Sequence, residues 1–202
     1  MLDRHITPFI QRAISGVARA AVNVGLKADH ITLIAFGLGL FAMISIAFHA
    51  YSMAAILLLA SRICDALDGA VARLTQPTDA GGFLDITLDF LFYAGIVLAF
   101  AVADPLARAL PAAVLLAAFI GTGSSFLAFA ALAAKRGITS MAYPGKSFYF
   151  LGGLTEGTET LIAFIAMCIW PEWFAEIAYG FAALCATTIT TRIVAGYFTL
   201  KK

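Results

Sequence analysis

Two pairs of aspartates stand close together in this chain, and their spacing would bring them to one place on helices. Asp65 and Asp68 are three residues apart, and Asp85 and Asp89 are four residues apart. Residues three or four apart lie on one face of an α-helix. Two helices joined by a short loop can therefore direct four carboxylates toward one point. Such hard oxygen ligands suit a pair of divalent cations with an oxygen-rich substrate bound to them.

The sequence around these aspartates is apolar, which makes their charges costly to keep. Hydrophobic residues form 62% of the 202 residues, charged residues form 12%, and the mean hydropathy is +0.94. These values lie far outside ordinary soluble composition. Ionisable side chains inside membrane helices are rare and usually mark a functional site. A binding role for the aspartates is therefore favoured over simple helix capping.

Six segments are long and apolar enough to cross a bilayer, for which a helix needs about 20 residues. The connections between them are too short to contain a soluble domain. We therefore predict an all-α, polytopic membrane protein in which residues 1–202 form a single domain and residues 31–198 a six-helix bundle. The predicted transmembrane helices cover residues 31–50, 51–73, 82–103, 109–134, 147–169 and 174–198.

The first 27 residues predict a helix of a different kind. Apolar and polar side chains fall on opposite faces over residues 6–19. Thr7 can cap this helix, and Pro8 suits its first position. An amphipathic helix of this type lies flat in the membrane interface rather than crossing it. The alternative is a helix that packs against a soluble partner.

The distribution of basic residues predicts the orientation. With the N-terminus in the cytoplasm, every Lys and Arg except Arg108 lies on or toward the cytoplasmic side. An excess of positive charge marks the cytoplasmic side of a membrane protein. We expect both termini and the aspartates to face the cytoplasm, at a bacterial inner membrane. The net charge of +1 comes with no basic patch suited to nucleic acid.

The order of these residues resembles the signature of the CDP-alcohol phosphotransferase (CDP-alcohol phosphatidyltransferase) family. That signature is D-x-x-D-G-x-x-A-R followed by G-x-x-x-D-x-x-x-D, and the chain matches it from Asp65 to Asp89. The stretch between the two parts, Leu74 to Ala80, is one residue shorter than is usual in the family. The chain length, the six helices and the flat N-terminal helix are also similar to the family.

The resemblance implies an enzyme of phospholipid biosynthesis. It would transfer a phosphatidyl group from a CDP-linked lipid, foremost CDP-diacylglycerol, to a small alcohol and release CMP. Mg²⁺ or Mn²⁺, expected as two ions, would neutralise the pyrophosphate and hold it for in-line attack. The resemblance also implies a homodimer with one site in each protomer. Glycerol phosphate, inositol phosphate, serine and other alcohols remain open as acceptors.

The resemblance also assigns expected roles to the residues of the signature. Asp89 matches the position near the acceptor, as metal ligand, general base or both. Gly69 and Ala72 lack bulk where the nucleotide approaches the helix. Arg73 is placed to bind a phosphate through charge-assisted hydrogen bonds. The expected metal ligands are Asp65, Asp68, Asp85 and Asp89, and Asp68 is also expected to contact the substrate.

Residues beyond these add further candidates. Thr78 offers a hydroxyl to the same phosphates. Lys146 either binds a donor or acceptor phosphate or is an ordinary lysine at the membrane surface. Glu156 and Glu159 either line the same cavity and help to select the acceptor, or form an interhelical hydrogen-bond network.

Two other classes of protein compete with this interpretation. Membrane prenyltransferases also bind a pyrophosphate through aspartate-rich helices and magnesium, but we would expect more helices and an Asn-bearing motif. A non-enzymatic divalent-cation transporter could use the aspartates as an ion path. Such transporters often show symmetry between their halves, whereas the last three predicted helices carry no second aspartate motif. Dependence on a cytidine nucleotide would separate the transferase from both.

Overall fold

The structure is a computed structural model that describes residues 3–138 and 153–201. Within these ranges every regular element is helical, which confirms the all-α prediction. A short 3-10 helix, Pro171–Trp173, precedes the last α-helix. The α-helices are α1 (Asp3–Asn23), α2 (Ala28–Ala47), α3 (Tyr51–Leu74), α4 (Asp79–Ala103), α5 (Pro105–Lys135), α6 (Gly157–Ile169) and α7 (Phe174–Lys201).

Within the described residues, four stretches are long and apolar enough to span a membrane: α2, α4, α5 and residues 171–201. The helix α3 has 24 residues, but charged side chains gather in its second half. The helix α6 has only 13 residues. The chain is thus a helical membrane protein whose described residues hold four clear candidate spans, and the count of six spans stays a prediction.

Polar caps explain why two helices begin earlier than predicted. The hydroxyl of Thr78 accepts a 3.0 Å hydrogen bond from the Gly81 N–H, so α4 starts at Asp79 rather than at residue 82. Asp104 accepts from the Ala107 N–H at 3.2 Å in the same way at the start of α5. Side chains that accept from the first N–H groups of a helix stabilise its N-terminus.

The prediction of a helix over 147–169 was wrong at residues 153–156, which are not helical; residues 147–152 lie outside the described ranges. Thr188 on α7 explains this difference. Its Oγ1 accepts hydrogen bonds of 3.1 Å from the N–H groups of Leu154 and Thr155. These N–H groups are satisfied by another helix, and α6 begins only after Glu156.

The helices that carry the aspartates form one side of the bundle. The helix α2 packs against both α3 and α4, while α1 lies on α3. On the other side, α5 packs against α4 and α7, and α6 contacts α3 and α7. Aromatic side chains fill the space between the two sides. The largest buried ones are Phe92, Phe100, Phe164 and Phe174.

Arg108 joins three parts of the chain at the end of the bundle where α3 and α5 begin. Its Nη1 donates a 2.8 Å hydrogen bond to the hydroxyl of Tyr51, the first residue of α3. Its Nη2 donates to the carbonyl of Pro171 at 2.9 Å, just before α7. In the sequence analysis Arg108 was the one basic residue on the side away from the cytoplasm. In the structure its hydrogen bonds hold the starts of α3 and α5 and the segment before α7 together.

Candidate active site

Three aspartates meet between α3 and α4. Asp65 and Asp68 lie one turn apart on α3, and Asp85 lies on the facing part of α4. One carboxylate oxygen from each residue lies within 4.8 Å of the other two. Oxygens that share a divalent cation at about 2.0–2.6 Å lie within roughly 5 Å of one another. The spacing of these three side chains therefore suits a single cation.

The chemistry of this carboxylate cluster also fits a cation. Asp68 is buried, and within the described residues its Oδ2 has no hydrogen-bond partner. A buried polar atom without a partner is unfavourable, and more so when it carries charge. A divalent ion at the cluster would satisfy this oxygen and offset the repulsion among the carboxylates. Asp65, Asp68 and Asp85 are thus the residues that could hold a metal.

The fourth aspartate of the motif has a different neighbour. Nη1 of Arg62 donates a 2.7 Å hydrogen bond to Asp89 Oδ1 and lies 3.3 Å from Asp65 Oδ1. The guanidinium therefore bridges α3 and α4 next to the carboxylate cluster. The sequence analysis gave Arg62 no part in the cluster. Its position three residues before Asp65, on the same helical face, was the available signal.

Arg62 is held firmly where it lies. Only 12% of its side chain is exposed, and its guanidinium carbon lies 4.0 Å from the centre of the Phe92 ring. A cation over an aromatic face is attracted by the ring. Its Nη2 also donates to Ser61 Oγ at 3.4 Å, and that hydroxyl donates to the carbonyl of Ala35 on α2 at 2.8 Å.

The last turns of α3 place the other signature residues beside the cluster. Gly69 follows Asp68 directly, and a Cβ at Gly69 would lie 3.3 Å from Arg73 Nη1, so the exposed arginine folds back along the helix. Ala72 is half-buried on the next turn. Thr78 lies across the short loop, where it caps α4. Lys146 lies outside the described residues.

Two cavities adjoin this site. The smaller has room for about one water molecule and is lined by Asp65, Asp85 and Asp89 together with Arg62 and Thr32. The larger has a volume of about 200 Å³ and lies among α4, α5, α6 and α7. Tyr93 lines the larger cavity one turn after Asp89, and its ring centre lies 5.8 Å from the Arg62 guanidinium.

The larger cavity carries polar groups that the sequence analysis anticipated only in part. Glu156 lines it, and so does Arg192, which was not among the candidates. Arg192 Nη1 donates to the carbonyl of Thr122 at 3.1 Å. Glu159 Oε2 accepts from the N–H of Glu156 at 3.1 Å, so Glu159 caps α6. Glu156 thus lines a cavity whose wall contains none of the four aspartates, while Glu159 supports the start of α6, and a part for either residue in selecting the acceptor stays a prediction.

Comparison with known proteins agrees with this geometry. The profile of the CDP-alcohol phosphatidyltransferase family matches residues 26–193. The chain is also 51% identical over 201 residues to the inner membrane protein YnjF of Escherichia coli, which covers 100% of this chain and 98% of that protein. The chain belongs to the CDP-alcohol phosphatidyltransferase family. The resemblance seen in the aspartate motif is thereby confirmed.

Other relatives of this CDP-alcohol phosphatidyltransferase are enzymes whose names state the lipid that they make. It is 45% identical over 85 residues to an archaetidylinositol phosphate synthase of Methanothermobacter thermautotrophicus, which covers 42% of each protein. The structure of Mycobacterium tuberculosis phosphatidylinositol phosphate synthase with CDP-DAG bound superposes with a TM-score of 0.68, 19% identity, and coverage of 92% and 94% of the two chains. The structure of the same enzyme in complex with manganese and citrate superposes with a TM-score of 0.66 at 20% identity. It covers 91% of this chain and 88% of that one. At this identity the likeness shows a shared fold.

Proposed function

We propose that this protein transfers a phosphatidyl group from CDP-diacylglycerol, or a similar CDP-linked lipid, to the hydroxyl of a small alcohol, releasing CMP. The observation that carries the proposal is the three-carboxylate cluster, which joins both parts of the family motif, with Gly69 and Arg73 close after Asp68 on α3. The structural relative with CDP-DAG bound supports a CDP-lipid donor.

The carboxylate cluster is proposed to bind Mg²⁺ or Mn²⁺ through Asp65, Asp68 and Asp85. A bound divalent cation would neutralise the charge that develops on the phosphate and the leaving CMP. The relative that contains manganese supports this choice of cation. The proposed ligands lie on α3 and α4, so a bound cation would also restrain the angle between these helices.

The residues after the cluster are proposed to bind the nucleotide end of the donor. Arg73 is exposed and can donate several hydrogen bonds to one phosphate. Gly69 and half-buried Ala72 leave space beside it. The Thr78 hydroxyl accepts from a backbone N–H, and it retains its own O–H to donate to a phosphate. Lys146, whose position comes only from the sequence, is also proposed to bind a phosphate.

Asp89 is proposed to position the acceptor hydroxyl and to receive its proton. Asp89 lies one turn before Tyr93, where the larger cavity begins. That cavity, with Glu156, Arg192 and threonine hydroxyls in its wall, is the proposed acceptor site. An alcohol there would have its polar groups among side chains of both charges, and its hydroxyl would have to reach toward Asp89, which lines the smaller cavity.

The proposed placement in the membrane follows the sequence. Residues 1–202 form a single domain with six crossing helices, both termini and the aspartates on the cytoplasmic side, and α1 in the interface. The exposed apolar side chains of Ile10 and Val17 on α1 support an interfacial helix. The relative named as an inner membrane protein supports a bacterial inner membrane. The family resemblance supports a homodimer.

A test is the identification of products by mass spectrometry. Purified protein would be incubated with CDP-diacylglycerol, Mg²⁺ or Mn²⁺ and a panel of alcohols that includes glycerol phosphate, inositol phosphate and serine. We expect CMP and one phospholipid to form together, and Asp68→Asn to abolish both. A prenyl transfer, or cation flux without any requirement for a cytidine nucleotide, would contradict the proposal.

A further inference from the structure

The larger cavity, among α4, α5, α6 and α7, is lined by two buried side chains of opposite charge. Glu156, which precedes α6, and Arg192 on α7 are each 8% exposed. They meet at Gly153, whose N–H donates to Glu156 Oε1 at 3.2 Å and where an added Cβ would lie 3.2 Å from Arg192 Nη2. Among the described residues of the wall, no other side chain is a Lys, Arg, Asp or Glu. The wall therefore carries almost no net charge.

Two threonine hydroxyls in the same wall already donate their protons to the protein. Thr122 Oγ1 donates to the carbonyl of Phe119 at 3.0 Å, and Thr160 Oγ1 donates to the carbonyl of Glu156 at 2.8 Å. A hydroxyl has one proton and two lone pairs, so these side chains retain only the capacity to accept. Together with the Glu156 carboxylate, they favour a ligand that donates hydrogen bonds.

We infer that the acceptor alcohol carries neither a phosphate nor a net charge. Its other polar groups would be hydroxyls, as in a polyol, or an ammonium and a carboxylate together, as in a zwitterionic amino alcohol. Both kinds offer donors to the Glu156 carboxylate and the threonine oxygens, and both leave the charge of the cavity balanced. This inference rests on the proposed function and selects among the acceptors that the sequence left open.

A phosphorylated alcohol is disfavoured by the same wall. A phosphate monoester carries a charge of about −1.5 to −2 and adds three strong acceptor oxygens. Arg192 Nη1 already donates to the carbonyl of Thr122 at 3.1 Å, and the charge of Arg192 is offset by that of Glu156. A phosphate would therefore bring uncompensated negative charge into a buried place next to a carboxylate, which is unfavourable.

The size and place of the cavity suit a small alcohol near the reacting groups. Its volume of about 200 Å³ is below the roughly 300–1,000 Å³ of pockets that hold drug-sized ligands. Phe90 and Tyr93 in its wall follow Asp89 by one and four residues on α4. In the transfer, the hydroxyl oxygen would bond to the phosphorus that bears the lipid. The bond from that phosphorus to CMP would break, and the hydroxyl proton would pass to Asp89.

The test compares alcohols in matched pairs with and without phosphate. Detergent-purified protein with CDP-diacylglycerol and Mg²⁺ would receive glycerol or glycerol phosphate, inositol or inositol phosphate, and serine as the zwitterionic alcohol. CMP release gives kcat/KM for each. The wild type should favour the unphosphorylated member of the pair that it uses by about tenfold or more, because a buried charge without a partner is costly. The polyol and serine arms show which kind of neutral alcohol is the acceptor.

Variants of the charged pair should shift the preference in opposite directions. Glu156→Gln keeps an oxygen for the Gly153 N–H but leaves Arg192 uncompensated, so the ratio of kcat/KM for phosphorylated over unphosphorylated alcohol should rise about tenfold or more. Arg192→Gln leaves Glu156 uncompensated and should raise the use of a cationic alcohol, ethanolamine, relative to serine. Glu176→Gln, an exposed change on α7, is the control and should keep the wild-type ratios. A purely structural role for Glu156 would lower both rates alike.

A wild type that favours the phosphorylated alcohols, or a folded Glu156→Gln variant with an unchanged ratio, would overturn the inference. If the variants fail to fold, the wild-type preference still decides. Calorimetric titration of the same alcohols measures that preference without turnover. If no alcohol led to CMP release, the proposed function would fail while the binding preference still tested the inference. Transfer that requires a phosphorylated alcohol would contradict the inference alone.

Discussion

Gly39 on α2 makes room for the ring of Phe92 on α4. A Cβ built on Gly39 would lie 2.6 Å from Phe92 Cδ2, closer than atoms in contact can approach. The same ring lies beneath the guanidinium of Arg62 at 4.0 Å. A glycine on one helix therefore determines how a charged group on another helix is held next to the aspartates.

Gly39→Ala should displace Phe92 and, with it, Arg62. Adding a methyl group to a filled interior costs about 1–3 kcal/mol of unfolding free energy. We expect a lower thermal midpoint in detergent and slower transfer. Gly37→Ala is the matched control on the same helix, because a Cβ there meets nothing within 4 Å. Equal stability and activity of the two variants would contradict the packing argument.

A single substitution of a cluster aspartate by asparagine should remove metal-dependent transfer while the helices stay folded. The three variants are Asp65→Asn, Asp68→Asn and Asp85→Asn. Loss of a residue that only supports a metal ligand costs about 10–100-fold, so loss of a ligand should exceed about 100-fold. Circular dichroism and transfer rates over a Mg²⁺ titration would measure both effects. Asp79→Asn, an exposed change in the first turn of α4, should behave as the wild type. Normal turnover in all three variants, or in the presence of a chelator, would exclude the metal site.

Asp89→Asn should separate proton transfer from metal binding. If Asp89 receives the proton of the acceptor, turnover should fall by about 10²–10⁴-fold while donor affinity is retained. If Asp89 were chiefly a metal ligand, donor and metal affinity would fall together, and high Mg²⁺ would restore part of the activity. Donor affinity and turnover across a Mg²⁺ titration distinguish the two results. If donor affinity and turnover were both unchanged, Asp89 would have no role in the active site.

Arg73→Ala should weaken donor binding in a way that added metal cannot reverse. A hydrogen bond to a charged group contributes about 1.5–3 kcal/mol, which corresponds to roughly 10–150-fold in affinity. Binding of CDP-diacylglycerol can be measured at low and high Mg²⁺. The control is Arg12→Ala, which removes an exposed arginine of α1. Recovery of affinity at high Mg²⁺ would argue against a direct phosphate contact.

Thr188→Val should destabilise the segment before α6. The change keeps the shape of the side chain but leaves the N–H groups of Leu154 and Thr155 without their acceptor. Each buried group that loses its partner costs about 1–3 kcal/mol. Thermal unfolding in detergent should show a clear loss of stability. Thr187→Val is the neighbouring control, since that exposed hydroxyl donates within its own helix, and equal midpoints for both variants would refute the argument.

The spacing of the aspartates was enough to predict most of the carboxylate cluster. Asp65, Asp68 and Asp85 converge because helical periodicity and a short loop leave few other arrangements. The pairing of Arg62 with Asp89 could not be derived in the same way. It depends on the distance between α3 and α4, which the packing of α2 against both helices sets.

The larger cavity shows a second limit of prediction from sequence. Its wall combines Tyr93, Thr122 and Arg192, which are far apart in the chain and come from three helices. No local spacing connects such residues. The start of α6 was misplaced for a related reason, because its acceptor, Thr188, lies on α7. Hydropathy detects a segment, but partners on other helices decide where its helix begins.

The contacts of Arg108 have a mechanical consequence for the aspartates. By joining Tyr51 to the carbonyl of Pro171, Arg108 makes the starts of α3, α5 and the segment before α7 a fixed pivot. Asp65 lies about 21 Å further along α3, at a rise of 1.5 Å per residue. A tilt of α3 by about 5° around this pivot would move Asp65 by roughly 2 Å. Small tilts at the fastened end are thus amplified at the carboxylates, where the proposed CDP-lipid donor would enter and leave.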